Sequence, residues 1–190
     1  HSTGGLTASL WASEHPERLN ALVLDSPGLD VQQSPMLRSA LSMLLSAVRT
    51  PTTPLPFTGQ DIYRRSISSA LDGAWDFNLN LKSDPAFLVR AGWLNAVLTG
   101  QARVAAGLGI EVPVLMLVSE RSDFRRQWSE DVRRADVVLD VEKLAERASG
   151  LGRHVTLIRI ADGMHDLALS DQPARDVYFD EVARWLRTYA

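Results

Sequence analysis

The sequence predicts an α/β fold in which helices flank a parallel sheet and a mainly helical cap is inserted into the core. Two short apolar runs, Leu19–Leu24 and Val112–Val118, have the composition of strands that are buried on both faces, and Val155–Ile160 is predicted to be a third strand. From the second run onward, strand and helix patterns alternate, and such repeats form parallel sheets with right-handed crossovers. We therefore predict one domain whose parts are 1–30 (first part of the core), 31–109 (cap) and 110–190 (second part of the core).

The first part of the core is predicted to contain one helix and one strand. Apolar residues at helical spacing from Leu6 to His15 indicate a buried helix, and Pro16 ends it. The strand pattern over Leu19–Leu24 is followed by turn residues that begin at Asp25. Asp25 therefore lies near the carboxyl end of the strand, where we expect it to line or cap a loop.

The cap has no strand-rich core of its own. Helical patterns cover Ser34–Val48 and Pro85–Leu108, a proline-rich stretch at 50–56 excludes regular structure, and alternation over Trp75–Leu81 indicates an extended segment. The pattern of Ile62–Leu71 is ambiguous. Six aromatic side chains either line an apolar pocket or pack the cap together: Phe57, Tyr63, Trp75, Phe77, Phe87 and Trp93.

The second part of the core is predicted to contain two further helices. One spans Asp140–Gly150, with Asp140 as its N-cap and glycine after its end. The other spans Pro173–Tyr189. Its inward-facing residues are predicted to be Val177, Phe179, Val182, Trp185 and Leu186.

Composition excludes several classes of function. The formal net charge of −3 gives no basic field that would attract nucleic acid. The chain has no cysteine, so disulfides, thiolate nucleophiles and cysteine-based metal sites are excluded. No apolar run approaches the roughly 20 residues that span a bilayer. A cytoplasmic location is the default expectation, and the sequence does not give the oligomeric state.

The first five residues, His1–Gly5, carry the most specific motif in the chain. With a glycine before His1 they would complete the pattern G-x-S-x-G, in which Ser2 is a nucleophile on a strained strand-to-helix turn and Gly4 is a small neighbour. The N–H of Thr3 is then predicted to stabilise an oxyanion at the N-terminus of the helix.

A serine nucleophile needs an imidazole base and a carboxylate that orients the imidazole. Of the four histidines, only His165 follows the last strand in a glycine-containing loop, whereas His1 is expected to point away from the serine. The carboxylate should follow the strand that ends at Val118. Asp136 is favoured and Asp123 remains the alternative.

Four features together resemble those of an α/β-hydrolase. They are the strand-to-helix turn at Ser2, called the nucleophile elbow, the strand at Val114–Val118, the segment Asp136–Asp140 and the loop around His165. The resemblance is to serine hydrolases related to monoacylglycerol lipases, lysophospholipases and serine aminopeptidase-like enzymes. It implies hydrolysis of a small-molecule carboxylic ester through an acyl-enzyme, without metal or organic cofactor. An amidase or peptidase of the same fold, and a non-catalytic interaction domain, are the alternatives.

The resemblance also bears on the extent of the chain. Such hydrolases have about five strands before the elbow, and one of their loops supplies a second oxyanion donor. The sequence is therefore expected to be the C-terminal portion of a hydrolase, with three strands. Alone, it is expected to have little or no esterase activity.

Overall fold

A computed structural model describes residues 1–30, 40–41, 43–45, 48, 50–55, 62–82, 88–125 and 127–189. The predicted helix Ser34–Val48 lies largely outside these ranges, as do Phe57 and Phe87.

Three parallel strands form the sheet of the described chain. They are β1 (Leu22–Asp25), β2 (Val114–Ser119) and β3 (Val155–Ile160), in the spatial order β1-β2-β3. The parallel sheet that the apolar runs predict is confirmed. β1 begins later than the apolar run, because Pro16–Arg18 form a 3₁₀ turn that closes on the N–H of Leu19.

Five α-helices lie wholly within the described ranges: α1 (Ser2–Glu14), α2 (Ile62–Ile67), α3 (Ala91–Ala106), α4 (Val141–Ala148) and α5 (Ala174–Tyr189). α4 begins where its predicted cap stands, because the Asp140 carboxylate accepts hydrogen bonds from the N–H groups of Glu142 and Lys143. None of the described helices is long and apolar enough to cross a membrane.

The central strand β2 is buried along its whole length and supplies both faces of the core. Val114, Met116 and Val118 pack in a cluster with residues of α1, α3 and α4, whereas Leu115 and Leu117 pack in a second cluster with residues of α5. Alternate side chains of a strand point to opposite faces, so the helices form a layer on each side of the sheet.

Three local predictions differ from the structure. The segment Trp75–Leu81 is not extended throughout, because Leu79–Leu81 form a 3₁₀ helix whose start is capped by the Asn78 side chain. α3 begins at Ala91 rather than at Pro85, since Leu88–Arg90 are outside the helix and Val89 and Arg90 pair with residues 54 and 55.

The third difference concerns the face of α5. Val177 and Phe179, predicted to face inward, are 46% and 53% exposed. Trp185 is buried as predicted, with Val182 and Leu186 partly buried beside it, and the other buried positions of the helix are Ala174 and Tyr178. The Trp185 indole N–H fixes this orientation by donating a 2.9 Å hydrogen bond to Thr156 Oγ1.

Candidate active site

The candidate site begins at the tight turn that leads into α1. Ser2 has a φ of +51°, in the left-handed region where a residue with a side chain is strained. Its carbonyl oxygen accepts a 2.8 Å hydrogen bond from the N–H of Gly28, in the loop after β1. The turn therefore holds Ser2 in the strained conformation that the motif predicts, and β1 helps to fix it.

The backbone is closely packed at Gly5 and not at Gly4. A Cβ at Gly5 would lie 2.6 Å from Pro27 Cβ, closer than real Cβ atoms approach. A Cβ at Gly4 would meet no heavy atom of the described residues within 4 Å. The small residue that lets α1 approach the end of β1 is therefore Gly5, one position beyond the motif.

Three polar side chains converge at the carboxyl end of the sheet. The Ser2 hydroxyl lies 3.1 Å from Nε2 of His165, and Nδ1 of the same ring lies 2.9 Å from Oδ2 of Asp136. Since a carboxylate only accepts, Nδ1–H donates to Asp136, and Nε2 is free to accept the hydroxyl proton of Ser2. Serine nucleophiles require this arrangement of acceptor and orienting acid.

Local hydrogen bonds hold the Asp136 carboxylate in place. Its second oxygen, Oδ1, accepts from the N–H groups of Val138 and Leu139 at 2.8 and 2.7 Å. The backbone of Asp136 bonds to that of Arg121 and Asp123, which follow β2. These contacts orient one fully buried carboxylate towards the imidazole.

The alternative acid, Asp123, is directed elsewhere. Its carboxylate accepts from the Arg125 side chain at 2.8 Å and lies 3.8 Å from Arg121. The hydrogen bond from Arg125 lowers the pKa of the Asp123 carboxyl. The structure thus brings Asp136, and not Asp123, into contact with His165.

Thr3, the predicted oxyanion donor, is the second residue of α1. The first N–H groups of a helix have no acceptor within the helix, and the helix dipole favours negative charge beside them. The Thr3 N–H is therefore available next to Ser2.

Two aromatic rings enclose His165. The His1 ring, predicted to point away, lies 4.8 Å from the His165 ring, and its Nε2 is 3.3 Å from the His165 carbonyl oxygen. Tyr63 on α2 meets the His165 ring edge-on at 5.1 Å. The sequence predicts Tyr63 only as one of six aromatic candidates. Its contact with His165 is not predictable from the sequence, because the two residues are far apart along the chain.

The loop that carries His165 is fastened on both sides. The Ser119 hydroxyl donates to the Gly163 carbonyl at 2.7 Å, and the Ser170 hydroxyl accepts from the Met164 N–H at 2.9 Å. From the predicted cap, the Trp75 indole N–H donates to the Leu169 carbonyl at 2.7 Å. Both the sheet and the cap segment thus position the imidazole.

Two further carboxyl groups lie near His165. Burial, reinforced by the charge of Asp166, raises the pKa of Asp25 to about 7. Burial also raises the pKa of Asp166. Lys82 stacks on the Tyr63 ring at 4.1 Å, and burial lowers the pKa of its ammonium group.

A sequence profile of the family described as serine aminopeptidase, S33, matches residues 1–172. No curated protein matches the sequence. Among solved structures, the monoacylglycerol lipase of Paleococcus ferrophilus is similar to the whole chain, with a TM-score of 0.70 and 19% identity.

Two other solved structures are similar to the whole chain. A soluble variant of monoglyceride lipase from Saccharomyces cerevisiae gives a TM-score of 0.63 at 15% identity. Est1E from Butyrivibrio proteoclasticus, solved with ferulic acid, gives a TM-score of 0.54 at 15% identity. The chain spans 67% of the length of the Paleococcus protein, 64% of the yeast protein and 57% of Est1E. At these identities the likeness shows the fold alone.

Proposed function

The chain belongs to the serine aminopeptidase S33 family of hydrolases, and we propose that it cleaves carboxylic esters through an acyl-enzyme on Ser2. One observation carries the proposal: a continuous line of hydrogen bonds joins the Ser2 hydroxyl through His165 to Asp136. The likeness in fold to monoacylglycerol lipases is consistent with an ester substrate.

In the proposed acylation step, Ser2 Oγ attacks the ester carbonyl while its proton passes to Nε2 of His165. Asp136 holds the ring and stabilises the imidazolium that forms. The tetrahedral intermediate then collapses, the C–O bond to the alcohol breaks, and His165 gives its proton to the departing oxygen. An acyl group remains on Ser2.

Deacylation repeats these steps with water as the nucleophile. His165 takes a proton from the water, the hydroxide adds to the acyl carbonyl, and the bond to Ser2 Oγ breaks. The proton returns from His165 to Ser2, and a carboxylic acid leaves. In both steps the Thr3 N–H is proposed to donate to the oxyanion, and one such donor contributes about 10²–10³ in rate in other hydrolases.

Hydrolysis of p-nitrophenyl esters with short and long acyl chains tests the proposal on the natural protein that contains this chain. We expect Ser2→Ala to lower kcat by about 10⁴–10⁶. Ser13→Ala is the matched control, because the Ser13 hydroxyl lies in the same helix and, within the described part of the chain, bonds only to the Leu10 carbonyl. Turnover that survives in Ser2→Ala would remove Ser2 from the mechanism.

Cleavage of amide bonds is the second candidate, favoured by the aminopeptidase description of the family. The same three side chains would form the acyl-enzyme, and His165 would protonate an amine instead of an alcohol. Comparing kcat/KM for p-nitrophenyl esters with that for aminoacyl p-nitroanilides decides between them. A higher value for the anilides would replace the ester proposal by the amide one.

A further inference from the structure

β1 ends in a buried carboxyl group that the proposed reaction does not use. Asp25 is 7% exposed, and its Oδ1 accepts a hydrogen bond from the Leu167 N–H at 3.3 Å. Leu167 lies two residues after His165 and begins the 3₁₀ helix Leu167–Leu169. Asp25 therefore holds the far side of the loop whose near side presents the imidazole to Ser2.

The electrostatic surroundings of Asp25 come from three parts of the fold. The groups that face it are the Asp166 carboxyl and the His165 imidazole after β3, and the hydroxyl groups of Tyr63 on α2 and Tyr178 on α5. Among the described residues, no lysine or arginine forms an ion pair with Asp25. Where Asp25 is ionised, its negative charge therefore acts on His165 without a competing side-chain cation in contact.

A carboxyl group is a costly choice at this position if its only role is to accept one hydrogen bond. Burial and the neighbouring charge of Asp166 raise the pKa of Asp25 to about 7, so its ionised form is destabilised in the fold. An asparagine would accept the same bond from Leu167 without that cost. A retained acid of this kind, beside a reacting group, is typical of functional sites.

We propose that Asp25 is a positioning residue for His165, which fixes its loop through the Leu167 N–H and supplies a second negative charge to the imidazolium. This inference rests on the proposed function, in which His165 carries a proton during each step. Asp136 contacts the ring directly at Nδ1, whereas Asp25 acts through the loop and through space.

Two substitutions separate the hydrogen bond from the charge. Asp25→Asn keeps an acceptor for Leu167 and removes the charge, and Asp25→Ala removes both. Without the second negative charge the imidazolium is less stable, so the acidic limb of the kcat/KM profile should move to lower pH. The expected shift is about 0.5–1 pH unit in both variants. Rates on the alkaline plateau should fall by about threefold to tenfold in Asp25→Asn and further in Asp25→Ala.

Asp30→Asn is the matched control. Asp30 is also buried and follows β1, but its carboxylate is paired with Arg147 at 2.7 Å. We expect the acidic limb of kcat/KM in this variant to lie at the same pH as in the wild type, even if the variant is less stable. Circular dichroism of each variant establishes that it is folded, and Asp25→Asn carries the test if Asp25→Ala does not fold.

A second measurement does not need turnover. NMR can follow the ring protons of His165 as the pH changes, in the wild-type protein and in Asp25→Asn. The midpoint of this titration should be lower in Asp25→Asn than in the wild type, by the same number of pH units as the shift in the acidic limb of kcat/KM. If wild-type turnover survives Ser2→Ala, the proposed function fails, and the NMR titration still decides the role of Asp25. Superimposable titrations and pH profiles of wild-type and Asp25→Asn would reduce Asp25 to a structural residue.

Discussion

Asp136 and Asp25 are two buried carboxyl groups that contact the His165 loop, and they differ in how well they are hydrogen bonded. Asp136 accepts three bonds of 2.7–2.9 Å, from Val138, Leu139 and His165. Asp25 accepts one bond from the residues that the structure describes, 3.3 Å long, from Leu167.

The comparison shows that burial alone does not determine what a carboxyl group does. Hydrogen bonds compensate the loss of water around a buried charge, and Asp136 has donors for both of its oxygens. Asp25 has one donor and a neighbouring acid, and its pKa is raised to about 7. A well-bonded acid can orient a ring, whereas an under-bonded acid responds to pH in the range where enzymes work.

The largest expected effect tests whether Asp136 orients the His165 ring. Asp136→Asn should lower kcat by about 10⁴, because an amide no longer selects the His165 tautomer that accepts a proton at Nε2. Asp123→Asn is the control, since Asp123 bonds to Arg125 and should retain activity within about twofold. Ester hydrolysis measures both. A reversed order, with Asp123→Asn the more damaged, would reassign the orienting acid.

The next largest effect concerns Asp25 and the pH dependence of the free energy of unfolding. The carboxyl has a pKa of about 7 in the fold against 3.8 for an ordinary aspartate, so the folded protein holds more protons between these values. The contribution of Asp25 to the free energy of unfolding is therefore fully present below about pH 4 and falls as the pH rises to about 7.

Asp25→Asn removes this dependence. We expect the variant to gain stability relative to the wild type as pH rises, on the order of 3 kcal/mol between about pH 4 and pH 8. Urea unfolding across this range measures it, with Asp30→Asn as the control. A stability difference between wild type and Asp25→Asn that stays constant with pH would show that Asp25 is ionised throughout.

The smallest expected effect concerns the close contact between Gly5, next to the elbow, and Pro27, in the loop after β1. Gly5→Ala places a Cβ 2.6 Å from Pro27, two residues after Asp25, and should destabilise the protein by about 1–3 kcal/mol. Gly4→Ala is the matched control, because no described atom lies within 4 Å of its new Cβ. Thermal unfolding compares them, and equal losses would show that the elbow does not depend on the β1 loop.

Local patterns predict the sheet, and they also name the candidate side chains. Apolar runs predict the strands, and the signal is clearest for β2, which is buried along its whole length. Chain order and loop position name Ser2, Asp136 and His165, and the structure places these three side chains within hydrogen-bonding distance. Asp140 is predictable as a cap because its partners are its own neighbours.

Contacts between distant parts of the chain are not predictable in this way. The meeting of His1 and Tyr63 with His165 depends on how the elbow, α2 and the last loop pack, and no local pattern records it. The apolar pattern of α5 correctly predicts that Trp185 is buried, but it misplaces Val177 and Phe179, which are apolar and yet exposed, and misses Ala174, which is small and buried. The role proposed for Asp25 likewise needs the position of Leu167, far away in sequence.

Covalent labelling of Ser2 by a fluorophosphonate tests the central claim most directly. The reagent reports the activated serine itself and does not depend on the choice of ester or amide. For the natural protein containing this chain, mass spectrometry should find a single adduct on the peptide that carries Ser2, absent in Ser2→Ala and strongly reduced in His165→Ala. A folded protein that stays unlabelled, or that is labelled equally in Ser2→Ala, would contradict the account.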